Sequence, residues 1–187
     1  MTSDSRILEG DLQAHEALDA IIRRAQAGEA RAFEEILDLF ESKAILIARS
    51  MGASRHDAED IAQEAFLKVF RYIGSYRSDR TFKAYFYRIV LNASRDHLSR
   101  MKPAGQQSID EIAEVVSETE SRASYEDLEM LRRALQQLPG REREVLILRE
   151  LQGLSTWEVA RILRISPITV RRHASRGLAH LRVILGD

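Results

Sequence analysis

The chain is predicted to be all-α, two small helical domains joined by a flexible acidic linker, and three observations predict it. Apolar residues recur at three- and four-residue intervals through most of the 187 residues, as in helices that bury one face. No stretch alternates apolar and polar residues between hairpin turn signals, which sets strands aside. The helical period fails once, between about 100 and 125, dividing the chain into a domain over 1–100, a linker over 101–125 and a domain over 126–187.

Taken in order, Leu18, Ile21, Ile22 and Ala25, then Phe33, Ile36, Leu37 and Phe40, form two apolar runs separated by Gly28, the pattern of a helical hairpin. Ser54 with Asp57 three residues on announces a third helix. Its apolar side runs through Ala58, Ile61, Ala62, Ala65, Phe66, Val69 and Phe70, and Gly74 ends it. After a polar turn from Ser75 to Arg80, a fourth helix carries Phe82, Phe86, Ile89, Val90, Ala93 and Leu98. Pro103, Gly105 and repeated Ser, Thr and Glu then leave too little apolar surface to offset the entropy of ordering, hence the linker. A short helix around Ile109 to Val116 is compatible with its sequence. Helical spacing resumes at Leu128, Leu131, Leu135 and Leu138, stops at Pro139-Gly140 and restarts at Val145, Leu146, Leu148 and Leu151.

The last segment has the features of a helix-turn-helix. Ser155 with Glu158 makes a capping box ahead of Val159, Ile162 and Leu163. Ser166-Pro167 supplies an N-cap and an N1 proline for the next helix. At 100° per residue Val170, Ala174, Leu178, Leu181 and Leu185 share one face, and Arg171, Arg172, Ser175, Arg176 and Arg182 the opposite one. A basic face led by the first half of a second helix suits a major groove, where arginine binds guanine O6 and N7. Gly177 inside this helix costs about 1 kcal/mol relative to alanine; close packing and close approach of DNA are the two explanations.

Charge is distributed in blocks. The net charge is −1, but residues 1–67 carry 7 basic and 14 acidic side chains and residues 68–102 carry 9 and 2. Residues 103–130 then carry 1 and 8, and residues 131–187 carry 11 and 5. Two basic segments alternating with two acidic ones suit contact with DNA in two places and with something else in two others. Cysteine is absent, which removes disulfides and thiolate zinc sites, and the five histidines show no ligand spacing. No metal or cofactor is expected. No glycine-rich phosphate loop and no nucleophile, histidine and carboxylate set is present, so no catalytic residues are assigned. No apolar run reaches the ~20 residues of a membrane span, and a signal peptide is not recognisable, so a cytoplasmic protein without membrane insertion is expected.

The segment from Leu138 to Arg182 resembles sigma region 4, and the stretch from Ala32 to Arg100 resembles sigma region 2. Together they resemble the extracytoplasmic-function group of bacterial sigma-70 family factors. The resemblance implies a promoter-specificity subunit of RNA polymerase, with core polymerase, promoter DNA and an anti-sigma factor as partners. It implies that the first domain binds core polymerase and reads and melts the minus-ten element, and that the second reads the minus-thirty-five element.

Asp57, Glu59, Asp60, Gln63 and Glu64 lie within two helical turns, and in the family the corresponding helix docks on the polymerase clamp helices. Acids complementing a helix dipole account for the first turn, but less well for Gln63 and Glu64. The run Tyr76, Arg77, Ser78, Asp79 and Arg80 matches the loop that holds a flipped minus-ten base, with Lys83, Tyr87 and Asn92 beside it on the fourth helix; Asn92 serves either as a DNA contact or as a local cap. By period, Phe82, Phe86 and Ile89 face inward and Lys83 and Tyr87 outward. Ser155, Thr169, Arg171, Arg172, Ser175 and Arg176 match the minus-thirty-five reader, with Arg172, His173 and Ser175 placed to specify sequence. The acidic linker suits either a passage through polymerase or a solvated tether. Tyr85-Phe86-Tyr87 stands where relatives often carry Trp-Leu-Tyr, and Arg176-Gly177 where they carry Arg-Ala. The alternative, a free-standing helix-turn-helix regulator, would need neither the acidic helix nor the aromatic and basic turn.

Overall fold

A computed structural model of the chain describes residues 16–77, 81–100 and 122–186, with backbone alone for 122–126. Most of the expected linker, its candidate short helix, and Ser78, Asp79 and Arg80 lie outside the described residues. Within them the order is α1 (residues 16–26), α2 (Ala30–Met51), α3 (Arg55–Tyr72), α4 (Phe82–Arg100), α5 (Arg122–Gln137), α6 (Gly140–Leu146), α7 (Thr156–Leu163) and α8 (Pro167–Leu185). No strand occurs among the described residues, in keeping with the all-α class. Helix α5 begins inside the stretch assigned to the linker.

The local signals act where the sequence places them. Gly28, at φ +89°, separates α1 from α2. Helix α2 continues past Phe40 to Met51 and stops at Gly52, whose φ of +118° few other residues tolerate. The N–H of Asp57 donates to Ser54 Oγ at 3.1 Å and opens α3. A 3₁₀ turn, Ile73–Ser75, follows α3.

Phe40 organises the first half. Its ring lies 5.4 Å from Phe82, 5.0 Å from Phe86 and 6.2 Å from Tyr87, and Phe66 lies 5.1 Å from Phe86. Such aromatic pairs add to the area they bury. Helix α4 packs on α2 and α3 on one side and on α7 on the other. That sandwich buries Phe82, Ala84, Phe86, Tyr87, Val90, Leu91, Ala93 and Ser94, far more of its circumference than one amphipathic face.

In the second half α6 widens into a π-helical turn, Ile147–Leu151, closed by the Gln152 N–H on the Ile147 carbonyl at 3.1 Å. Helix α8 lays Val170, Ala174, Gly177 and Leu181 against this unit. A Cβ on Gly177 would stand 2.9 Å from Leu146 Cδ1 and 3.4 Å from Glu142 Cβ, so close packing accounts for this glycine. Because the seam follows Gly177, Leu178 and Leu185 are partly exposed, unlike the inward face expected for them.

The two halves share one hydrophobic core. The Arg143 guanidinium donates to the carbonyls of Met51 at 2.9 Å, Leu135 at 2.9 Å, Leu138 at 3.0 Å and also Gln136, tying the end of α2 to the α5–α6 turn. Gln136 adds a bond to the Arg49 carbonyl at 3.4 Å. Arg95 Nε donates to Glu144 at 2.6 Å, and Arg141 reaches the same carboxylate at 3.1 Å. These partners lie up to 92 residues apart, beyond the reach of any local pattern.

Candidate nucleic-acid and polymerase interfaces

The start of α7 is fixed by a reciprocal cap. The Glu158 N–H donates to Ser155 Oγ at 3.3 Å, while the Ser155 N–H and hydroxyl donate to Glu158 Oε2 at 2.9 and 2.7 Å. Arg164, at φ +55°, makes the turn out of α7. Ser166 then caps α8, its Oγ accepting from the Thr169 N–H at 3.1 Å and lying 2.8 Å from Thr169 Oγ1. The hydroxyls of Ser155 and Thr169, both expected at DNA, thus hold helix starts. Beyond the cap, Arg171, Arg172, Ser175 and Arg176 are all exposed, opposite the buried seam. His173 is half-buried, with Nδ1 inside the protein, so it does not stand on the outward face expected of it. The remaining face offers guanidinium donors suited to phosphates and guanine edges.

The corresponding surface of the first half is divided. Tyr76 anchors the turn after α3: its N–H donates to the Ile73 carbonyl at 3.0 Å, and its own carbonyl accepts from Gln26 Nε2 at 2.8 Å. Its ring packs 5.2 Å from Tyr85 and 5.6 Å from Phe82, which leaves it half-buried. Arg77 and Lys83 are exposed. Tyr87 corrects the sequence-based expectation: it is 1% exposed, its ring packed 6.2 Å from Phe40 of α2 and 5.9 Å from Phe86. Burial also pushes its hydroxyl up to about 12. Asn92 is exposed, and its Oδ1 accepts from Arg95 Nη1 at 3.0 Å; in the middle of α4 it does not cap a helix.

The two surfaces meet at Thr81 and Glu158. The Thr81 hydroxyl accepts from the Ala84 N–H at 3.4 Å and donates to Glu158 Oε1 at 3.1 Å. Burial raises the Glu158 carboxyl, but bonds from Ser155 and Thr81 and the nearby Lys83 together outweigh it and hold the group below the ordinary carboxylate range. One carboxylate therefore completes the cap of α7 and links that helix to the start of α4.

Along α3, Asp57 turns inward to the cap. Its Oδ2 accepts from the Ser54 hydroxyl at 2.6 Å and its Oδ1 lies 3.1 Å from His97 Nε2. Its carboxyl is held below the usual range by the Ser54 bond first, against burial, with His97 assisting. Glu59 lies 3.5 Å from Arg55, and Glu64 lies 2.7 Å from Lys68. Asp60 and Gln63 are exposed. The same edge continues into Leu67 and Phe70, 67% and 63% exposed, which sequence reasoning missed. At 100° per residue Leu67 falls off the stripe of Ala58, Ile61, Ala65 and Phe66, a signal the sequence carries, whereas Phe70 shares one 100° arc with Phe66 and Val69 and so gives none; it meets Phe33 edge-on at 4.9 Å.

The family model described as Sigma-70 region 2 matches residues 39–103, and that described as Sigma-70, region 4 matches residues 128–181. The ECF RNA polymerase sigma factor SigW of Bacillus subtilis is 30% identical over 178 residues, covering 89% of this chain and 95% of the relative. SigM of Mycobacterium tuberculosis, also an ECF RNA polymerase sigma factor, is 31% identical over 173 residues, covering 92% and 87%. The chain belongs to the ECF sigma factors. Among solved structures, CnrH in complex with the cytosolic domain of CnrY is similar at a TM-score of 0.72 and 27% identity, covering 89% of this chain and 96% of that one. In this ECF sigma factor the region 2 match takes in most of α2 with α3 and α4, and the region 4 match takes in most of α5 and α6 to α8. Among its described residues no helix is long and apolar enough to cross a membrane.

Proposed function

We propose that this ECF sigma factor engages core RNA polymerase through the outer edge of α3, reads and opens the minus-ten element with the turn after α3 and the start of α4, and reads the minus-thirty-five element with α8. The exposed face Arg171, Arg172, Ser175 and Arg176, behind a doubly capped and proline-started helix, carries this reading. On α3 the contact surface runs from Asp60 and Gln63 to Leu67 and Phe70, an acidic stretch followed by an apolar one. At the minus-ten element Arg77, Lys83 and the residues 78–80 supply the cations and polar groups, and Tyr76 with Phe82 and Tyr85 supports the turn. The factor has no reaction of its own in this reading; RNA synthesis belongs to the polymerase. An anti-sigma factor holding the protein inactive in the cytoplasm follows from the family likeness and from CnrH, solved with a protein bound to it.

The test is selection of promoters from a random DNA library by core polymerase loaded with this chain, followed by run-off transcription. Defined transcripts that require both core enzyme and chain are expected. A footprint on duplex DNA without polymerase, and no transcripts with it, would favour a free-standing regulator.

A further inference from the structure

Ile168 is an apolar side chain in an unusual place. It is 75% exposed, stands at the second position of α8 directly after Pro167, and belongs to neither hydrophobic cluster. At 100° per residue it falls on the same face as Arg171, Arg172 and Ser175, so it leads the exposed stripe. Single exposed apolar residues are ordinary on protein surfaces, and Val183 is 80% exposed on the same helix. Val183, however, lies about 22 Å further along the axis, whereas the first turns of a recognition helix are the part that reaches base edges. The first turn is also rigid, held by Ser166, Pro167 and the Ser166–Thr169 bonds. A β-branched side chain adds little rotamer freedom.

The major groove presents one apolar group, the C5-methyl of thymine. An isoleucine driven into that groove loses water, and only a thymine methyl offers it apolar surface in return. We propose that Ile168 is a specificity-determining residue that reads a thymine methyl in the minus-thirty-five element. Ile168 and Arg172 are one helical turn apart, about 6 Å along the axis, close to two base steps of about 3.4 Å. The thymine therefore lies within about two base pairs of the base engaged by Arg172. This inference rests on α8 being the minus-thirty-five reader.

The experiment measures binding of the holoenzyme, core polymerase with the full chain, to a selected promoter. Each thymine of the minus-thirty-five element is replaced in turn by uracil, which removes the methyl and nothing else. One position should show about fourfold weaker binding with uracil, the worth of one buried methyl. Ile168→Ala should bind thymine and uracil equally there, Ile168→Val should keep the preference, and both should melt at the wild-type temperature. Uracil sensitivity retained in Ile168→Ala overturns the proposal, as does a selected element without thymine within that distance. No sensitivity anywhere, with Arg172→Ala still weakening binding, overturns Ile168 alone. If Arg172→Ala is also without effect, the reading of α8 fails and Ile168 with it.

Discussion

Along α8 cations stand outside and small apolar residues inside, so Arg171, Arg172 and Arg176 remain available to a ligand. Around α4 a run of similar promise, aromatic residues interleaved with cations, is divided: Phe82, Phe86 and Tyr87 are core, Tyr76 and Tyr85 support it, and Arg77 and Lys83 stay outside. The difference lies in the side chains. An unpaired guanidinium is costly to bury, so its exposure can be inferred from sequence. An aromatic ring gains by burial as well as by stacking on a base, so its position depends on what else packs there.

The largest expected effect tests that division. Tyr87→Ala should destabilise the protein by about 3 to 5 kcal/mol, as for other large buried aromatics, in urea unfolding followed by circular dichroism. Tyr87→Phe should leave promoter opening by the holoenzyme unchanged. Loss of permanganate reactivity around the start site in Tyr87→Phe, with stability intact, would return this ring to the reader.

Next in size is the staple between the halves. Arg143→Met removes the guanidinium donor from the carbonyls of Met51, Leu135, Leu138 and Gln136, of which Leu135 keeps the Leu138 N–H, and unsatisfied acceptors cost about 1 to 3 kcal/mol each when buried. A stability loss of about 3 kcal/mol is expected, with a larger radius of gyration in X-ray scattering. Unchanged unfolding and scattering would mean that the halves do not depend on this arginine.

On α8 the expectation is reversed. Arg172→Ala should leave the melting temperature unchanged and weaken holoenzyme binding by about 1 to 3 kcal/mol at promoters that carry its preferred base. An equal loss on every promoter would assign Arg172 to phosphate.

The smallest effect is at Glu158, where the two surfaces meet. Its carboxyl is depressed below 4.5 in the folded protein, so its ionised form stabilises the fold above that pH and the contribution fades as pH falls through the folded value. Glu158→Gln should cost about 1 kcal/mol at pH 7, in the range of a lost cap. The gap between the two proteins should narrow below about pH 4.5. A gap independent of pH would mean that the Ser155 and Thr81 bonds do not require the charge.

Much of the molecule is determined by local sequence. Ser54, Ser155 and Ser166 cap the helices they precede, Gly28 and Gly52 end segments, and Val159, Ile162, Leu163 and Val170 bury where their spacing puts them. These outcomes involve groups within about one helical turn of each other, so the chain carries the whole interaction in one short window. The exposed arginines of α8 belong to the same class. What only the tertiary structure decided involves partners far apart in the chain. Tyr87 is buried against Phe40 of α2, 47 residues earlier in the chain. Gly177 lies in the seam because Leu146 approaches it, Thr81 meets Glu158 across 77 residues, and Phe70, 63% exposed, meets Phe33 of α2. Helical period assigns one buried face to a helix; whether a second helix covers another face depends on packing between distant segments, which periodicity within a single helix does not encode.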